Sequence, residues 1–130
     1  MNKKIIIIAL IMGITAIILG AFGAHALKEL LNTQQLATFE TGIRYQMYHA
    51  LFLLFLGNYT DISQKTKKIV FISTIIGVLF FSGSIYFLST NQITTIEFGI
   101  IGIITPIGGL FLIFSWIFLL YKIIMNKLTE

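Results

Sequence analysis

Four long stretches of the chain contain no charged residue, and this feature constrains the fold most strongly. They cover residues 5–22, 45–59, 69–88 and 98–121, and all fourteen Asp, Glu, Lys and Arg residues lie outside them. A helix that crosses the roughly 30 Å hydrocarbon layer of a bilayer needs about 20 apolar residues. With 57% hydrophobic and 11% charged residues, the chain is too apolar for a water-soluble domain. The sequence therefore predicts an integral membrane protein.

The predicted fold is all-α, an integral membrane four-helix bundle that forms a single transmembrane domain over residues 1–130. The second uncharged stretch has only 15 residues, so its membrane span should begin upstream, near Gly42 and Ile43. The long Arg44 side chain can then reach back to the lipid headgroups. The predicted spans are 5–24, 42–59, 69–89 and 98–121, with an external interfacial segment at 25–41.

Lysine and arginine collect at one end of this predicted bundle. Cytoplasmic loops of membrane proteins carry an excess of these residues. If both termini are cytoplasmic, only Lys28 and Arg44 lie outside. The seven on the cytoplasmic side are then Lys3, Lys4, Lys65, Lys67, Lys68, Lys122 and Lys127. The count favours an N-in, C-in topology.

The N-terminus also allows a second interpretation. Lys3 and Lys4, the apolar run that follows, and the small residues around His25 resemble a signal peptide with its cleavage site. The apolar run is longer than a typical signal-peptide core, so we expect a transmembrane helix there.

The segment between the first two spans has an amphipathic pattern. Leucines and Phe39 alternate at helical spacing with charged and amide side chains. Asn32, with Gln35 three residues later, is typical of a helix start. We therefore expect the second helix to begin at Thr33 and to continue straight into the membrane.

Small residues in the first and fourth spans are expected to let helices approach closely. Ala9, Gly13, Ala16, Gly20 and Ala24 recur every three or four residues, so they share one helix face. Pro106 should kink the fourth span, with a broken helix around a site as the alternative. The residues assigned to packing or to the kink are Gly13, Gly20, Gly23, Gly42, Gly102, Pro106 and Gly109.

His49 is the one readily titratable side chain placed well inside a predicted span. Such residues are costly in lipid and usually face the bundle interior. Helical spacing puts Tyr45 and Gln46 on the same face, and the topology puts His25 on the same side of the membrane. The candidate polar cluster beneath the outer interface is His25, Glu40, Arg44, Tyr45, Gln46 and His49. It could fix helix register, bind a small molecule, proton or ion, or hold a metal or haem between the two histidines.

Motifs of catalysis and of nucleic-acid binding are missing from the sequence. There is no phosphate-binding glycine loop, nucleophile elbow or metalloprotease helix, and no cysteine. Two histidines 24 residues apart match no short metal-ligand spacing. We therefore expect no enzyme activity, no cofactor, no resident metal and no nucleic-acid partner.

Two motifs resemble a known family. GAFGAHALK at residues 20–28 and FETGIRYQMYHAL at residues 39–51 are similar to the pattern of the domain-of-unknown-function 423 family of small four-helix bacterial membrane proteins. The positions that carry the pattern are Gly20, Phe22, Gly23, His25, Ala26, Leu27, Thr41, Gly42, Tyr45, Gln46, His49 and Ala50. The resemblance implies a bacterial inner (plasma) membrane location, an unassigned role and no known catalytic residue.

These observations favour a small binding or accessory membrane protein of unassigned role. An oligomeric transporter or channel for a small molecule, an ion or protons is the alternative, with His49 as its protonatable group. A protein with a histidine-ligated metal or haem is the third hypothesis. The expected partners are the lipid bilayer and either further copies of the chain or another membrane protein.

Overall fold

The structure is a computed structural model that describes residues 1–91 and 99–127, and the described part contains four helices and no strand. The predicted all-α four-helix fold is therefore confirmed. The helices are α1 at Asn2–His25, α2 at Thr33–Asn58, α3 at Gln64–Ser89 and α4 at Ile101–Lys127. The predicted start of the fourth span, at residue 98, lies outside the described residues.

Helix α2 differs in character from the other three. By length and composition α1, α3 and α4 are apolar enough to cross a membrane, whereas α2 does not reach that hydropathy. The polar residues between Thr41 and His49 are the reason. Helix α2 packs between α1 and α3, and its polar side chains Gln46 and His49 are buried in protein and shielded from lipid.

The start of α2 is the feature that local sequence predicted best. The Asn32 side chain accepts a hydrogen bond from the Gln35 backbone N–H at 2.8 Å, and the Gln35 side chain accepts from the Asn32 backbone N–H at 3.0 Å. This capping box confirms the helix start at Thr33. A short 3₁₀ turn at Leu27–Glu29 lies in the loop between α1 and α2. The apolar side chains Leu27 and Phe39 turn inward there and are buried.

Helix α1 packs on α2 through a stripe that differs from the predicted one. Ala9 and Ala16 are buried, as are the large side chains Ile5 and Met12. A Cβ added to Gly13 would have no atom within 4 Å, so that glycine faces open space in this chain. The contact stripe therefore mixes small and large residues, and hydropathy alone could not identify it.

The other predicted packing glycines range from tight to open. A Cβ on Gly42 would lie 2.7 Å from Cε1 of Tyr86, and one on Gly23 would lie 3.2 Å from the Phe39 ring. The remaining three make ordinary contacts or none: 3.9 Å at Gly20, 3.7 Å at Gly109 and open space at Gly102. Pro106 lies within α4, which is continuous, so the structure does not have a broken helix there.

Helices α3 and α4 approach each other very closely. A Cβ on Gly108 would lie 2.3 Å from the Phe81 backbone N and 2.7 Å from the Phe80 carbonyl carbon. A Cβ on Gly77 would lie 2.5 Å from Cδ2 of Leu112. Only a hydrogen fits at either position, so these two glycines set the distance between the helices.

A π-helical turn interrupts α3 at Leu79–Gly83. Such turns are rare and usually occur as single insertions in an α-helix. Ser82 donates from Oγ to the Gly42 carbonyl oxygen at 2.7 Å, and Ser84 Oγ lies 2.5 Å from Thr105 Oγ1. The π turn is therefore bonded to α2, and the residue that follows it is bonded to α4, an arrangement that the sequence did not indicate.

Lys67 is the most unexpected buried side chain. It is 0% exposed, and its Nζ donates to Asn2 Oδ1 at 3.1 Å and to the Gly57 carbonyl oxygen at 3.5 Å. Gly57 lies in the last turn of α2, where the helix carbonyls and dipole favour a positive charge. Lys67 therefore joins the start of α1, the end of α2 and α3, whereas the neighbouring Lys65 and Lys68 are exposed.

The N-in, C-in topology predicts the labelling of single cysteines, which the cysteine-free chain allows without background. Gln34 and Thr60 are exposed, uncharged and at opposite ends of the bundle. In whole cells a membrane-impermeant maleimide should label Gln34→Cys, and it should label Thr60→Cys only after permeabilisation. The reverse pattern would mean that the lysine count misassigned the sides. Lys67 is unsuitable for this test, because a buried cysteine is shielded on either side.

Candidate functional site

Gln46 lies at the centre of a buried hydrogen-bond network. Its side chain is 7% exposed and donates from Nε2 to the Met12 carbonyl oxygen at 2.9 Å and to Thr15 Oγ1 at 2.8 Å. Its Oε1 accepts a hydrogen bond from the Tyr86 hydroxyl at 2.7 Å. One amide thus joins α1, α2 and α3. Hydrogen bonds of this kind hold helices together in lipid, where apolar contact alone gives no preference for protein.

His49 forms a second connection, between α2 and α4. Its Nδ1 lies 2.7 Å from the Tyr45 carbonyl oxygen, and its Nε2 lies 3.1 Å from Nε1 of Trp116. Because the indole N–H can only donate, Nε2 is the acceptor, and Nδ1 must carry the proton that it shares with Tyr45. The imidazole is therefore neutral, 4% exposed and satisfied at both nitrogens.

The structure separates the members of the predicted polar cluster. Gln46 and His49 are buried and bond to different helices. Glu40 and Arg44 form an exposed ion pair of 4.0 Å between Oε2 and the guanidinium, with side chains 54% and 58% exposed. They lie two to nine residues nearer the start of α2 than the buried pair does.

His25 does not join the cluster. It is exposed at the end of α1, and among the described residues no hydrogen bond, ion pair or ring contact involves it. Gly23 faces Phe39, and His49 lies ten residues beyond Phe39, about 15 Å along α2. The two histidines are thus too far apart to share a ligand. Within the described part of the chain, no group of three His, Cys, Asp or Glu could hold a metal ion.

Sequence reasoning missed the partners that complete both connections. Trp and Tyr residues near the ends of apolar helices are typical interfacial anchors, yet Trp116 and Tyr86 each bond a buried polar side chain of α2. Trp116 is 67 residues from His49 in the chain, so no local pattern could have paired them. A buried amide and a buried imidazole each require a partner, and that requirement was the only available signal.

Trp116 also divides an apolar surface channel between α2 and α4, which we call the seam. The indole ring stacks on Phe52 with centroids 4.3 Å apart. On one side is an open groove of about 480 Å³, and on the other a groove of about 420 Å³ that reaches His49. The two grooves are lined on α4 by Gly109, Leu112, Ile113, Trp116, Ile117, Leu119, Leu120 and Ile123. The seam is therefore long, apolar and rich in aromatic side chains.

Comparison with known proteins agrees with this architecture. The chain matches the family model described as "Protein of unknown function (DUF423)" over residues 19–109, which include all of α2 and α3. It is 40% identical to a UPF0382 membrane protein of Bacillus subtilis, over 88% of this chain and 91% of the relative. No solved structure matches.

Two further relatives extend the similarity to other bacteria. A UPF0382 membrane protein of Staphylococcus saprophyticus is 39% identical, over 90% of this chain and 93% of its own. A UPF0382 inner membrane protein of Escherichia coli is 29% identical, over 97% and 93% respectively. With the long apolar helices, these matches make the chain an integral membrane protein of unassigned role. The chain belongs to the DUF423 family.

Proposed function

We propose that the protein is a small lipid-binding accessory protein of the bacterial plasma membrane, and that its binding site is the seam between α2 and α4. The observation that carries this proposal is the pair of apolar grooves on either side of Trp116. Under this proposal the protein is not an enzyme. It holds a hydrocarbon chain in a fixed orientation, for its own assembly or for a partner in the membrane.

The chemistry of the grooves supports a hydrocarbon ligand. Their walls are aliphatic and aromatic, and the lining residues that carry polar side-chain atoms are Tyr45, Tyr48, His49 and Trp116. The Trp116 Nε1–H already donates a hydrogen bond to His49 Nε2. A ligand in the seam therefore meets apolar surface, which suits an acyl or isoprenoid chain.

The rigid walls of the seam also support binding. Gln46 ties α2 to α1 and α3, and Gly108 brings α4 against α3. Helices α2 and α4 are thus held in place by α1 and α3, and the hydrogen bond between His49 and Trp116 joins them directly. A groove whose walls are already ordered binds a hydrocarbon chain without the entropic cost of ordering those walls.

The alternative of a transporter or channel requires His49 to gain and lose a proton. As the protonatable group, its imidazole would have to take a second proton on Nε2. That nitrogen already accepts from Trp116, so protonation would set two N–H groups against each other and open the seam. We propose the binding role first because it leaves the hydrogen bond between His49 and Trp116 intact.

An open glycine on α1, Gly13, favours association with a further helix in the membrane. A Cβ added to Gly13 would have no atom within 4 Å, and the nearby large side chains Ile14 and Ile17 are exposed. Small residues on a lipid-facing surface allow a second helix to approach closely. A homo-oligomer and a complex with another membrane protein both remain proposals on this basis.

Filling the seam should displace the ligand. Leu120 lines the larger groove and is 58% exposed, so Leu120→Trp adds bulk to the groove without entering the core. We expect wild-type protein, extracted in mild detergent, to retain phospholipid through size-exclusion chromatography, and Leu120→Trp to lose most of it. Native mass spectrometry measures both.

The matched control is Ile18→Trp, at a position on α1 that is 60% exposed and lines neither groove. It should retain as much lipid as the wild type. Wild-type protein that carries no lipid, or equal lipid on Leu120→Trp and Ile18→Trp, would rule out the seam as the binding site.

A further inference from the structure

We infer that Glu40 and Arg44 read the headgroup of the bound lipid, and that they select a zwitterionic phospholipid with a primary ammonium group. Arg44 holds the phosphate and Glu40 holds the ammonium. This inference rests on the proposed lipid-binding function and names the class of lipid.

A shallow pocket already lies at this charged pair. It has a volume of about 300 Å³ and is lined by Gly20, Glu40, Ile43 and Arg44. Gly20 and Ile43 form an apolar side where α1 meets α2, and a Cβ on Gly20 would lie 3.9 Å from Ile43. The pocket thus offers one cation, one anion and a small apolar surface, which matches a headgroup with its first carbon atoms.

The Glu40 to Arg44 ion pair leaves both side chains available. The two groups are 4.0 Å apart and more than half exposed, so their contact is long and weak. A guanidinium has five N–H donors in a planar fork that fits a phosphate with two parallel hydrogen bonds. The Glu40 carboxylate can accept from an ammonium on the same ligand. When the lipid binds, the weak contact between Glu40 and Arg44 is replaced by two stronger ones, from Arg44 to the phosphate and from Glu40 to the ammonium.

The charge balance at this end of the bundle favours a zwitterion over an anionic lipid. In the described chain, residues 26–44 contain two cations, Lys28 and Arg44, and two anions, Glu29 and Glu40. The opposite end has seven lysines against Asp61 alone among the residues described: Lys3, Lys4, Lys65, Lys67, Lys68, Lys122 and Lys127. The net formal charge of these four residues is zero, so they give no general attraction for an anionic headgroup, whereas Glu40 and Arg44 can each contact one charge of a zwitterion.

The headgroup pocket and the larger groove of the seam both have lining residues on one exposed face of α2. Arg44, Tyr48, Leu51 and Phe55 recur at three or four residues, so they form one stripe. From Arg44 to Phe55 this stripe is about 16 Å long at 1.5 Å per residue. Half of the roughly 30 Å hydrocarbon layer is about 15 Å. A phospholipid with its head at Arg44 therefore has a tail of the right length to enter the groove beside Trp116.

The test is competition between lipids that differ only in their headgroup. Purified protein is equilibrated with equal amounts of phosphatidylethanolamine, phosphatidylcholine and phosphatidylglycerol with identical chains, and the retained lipids are counted by native mass spectrometry. We expect wild-type protein to retain about fivefold more phosphatidylethanolamine than either other lipid. A preference of this size is what one charge-assisted contact at an exposed site can give. The quaternary ammonium of phosphatidylcholine has no N–H to donate, so it should lose this advantage.

Two variants separate headgroup reading from general charge. Glu40→Gln keeps the shape of the side chain and removes its charge, and it should retain lipid but lose the preference. Glu29→Gln changes a carboxylate at the same end that does not line the pocket, and it should keep the preference.

The outcomes distinguish this inference from the proposed function. Equal retention of the three lipids by wild-type protein, a preference for phosphatidylglycerol, or a preference that survives Glu40→Gln would overturn headgroup selection while lipid binding stands. If wild-type protein retains none of the lipids, both proposals fail. Preference in the wild type and in Glu29→Gln, with its loss in Glu40→Gln, supports both.

Discussion

Gly108→Ala should lower the free energy of unfolding by about 3 kcal/mol, at the upper end of the cost of overpacking a core. The added Cβ would lie 2.3 Å from the Phe81 backbone N and 2.7 Å from the Phe80 carbonyl carbon. These are backbone atoms, so no side chain can rotate away to make room. Helices α3 and α4 must separate, and separation also strains the Ser84 to Thr105 hydrogen bond beside the π turn.

Gly102→Ala is the matched control for this prediction. It lies six residues earlier in α4, and a Cβ there has no atom within 4 Å. Alanine has a higher helix propensity than glycine, so this variant should be neutral or more stable by up to about 1 kcal/mol. Thermal unfolding of both variants in the same detergent, followed by circular dichroism, measures the difference. Equal stability of the two variants would show that α3 and α4 are not packed as described.

Gln46→Met should lower the free energy of unfolding by about 2 kcal/mol, although methionine has nearly the same shape and suits an apolar interior. Three hydrogen bonds to α1 and α3 disappear, and the Tyr86 hydroxyl is left without its acceptor. Thr15 is less affected, because its hydroxyl still donates within α1. Most of the cost therefore comes from the connection to α3.

A double-mutant cycle with Tyr86→Phe isolates that connection. Tyr86→Phe alone removes one hydroxyl and should cost about 1 kcal/mol. Once Gln46 is methionine, removing the stranded hydroxyl should cost little or should restore stability, which gives a coupling energy of about 1 kcal/mol. Additive effects of the two substitutions would mean that the amide and the hydroxyl do not interact.

The predictable parts of this structure are those with local causes. Long apolar runs separated by charged loops specified four helices, because the bilayer requires every backbone group to be satisfied within the segment. The start of α2 followed from two side chains, Asn32 and Gln35, that bond each other's backbone. Such signals lie within a few residues of each other and can be found in a single sequence.

The candidate site depended on distant pairs, and there the sequence was ambiguous. His49 and Gln46 could be identified as buried polar residues, but their partners Trp116 and Tyr86 look the same as interfacial anchors in a hydropathy pattern. Lys67 was counted as an ordinary loop cation, although it is fully buried against the end of α2. Hydropathy gives the depth of a residue in the membrane, whereas these roles depend on which helix face meets which neighbour.

Trp116 gives the protein an intrinsic optical probe of the proposed binding site. It is the one tryptophan in the chain, so all indole fluorescence comes from a single place between the two grooves. Separation of α4 from α2 would release the indole N–H from His49 and unstack the ring from Phe52. Both changes alter the emission of an indole. Opening and filling of the groove can therefore be followed in real time, in detergent or in vesicles, on the unlabelled wild-type protein.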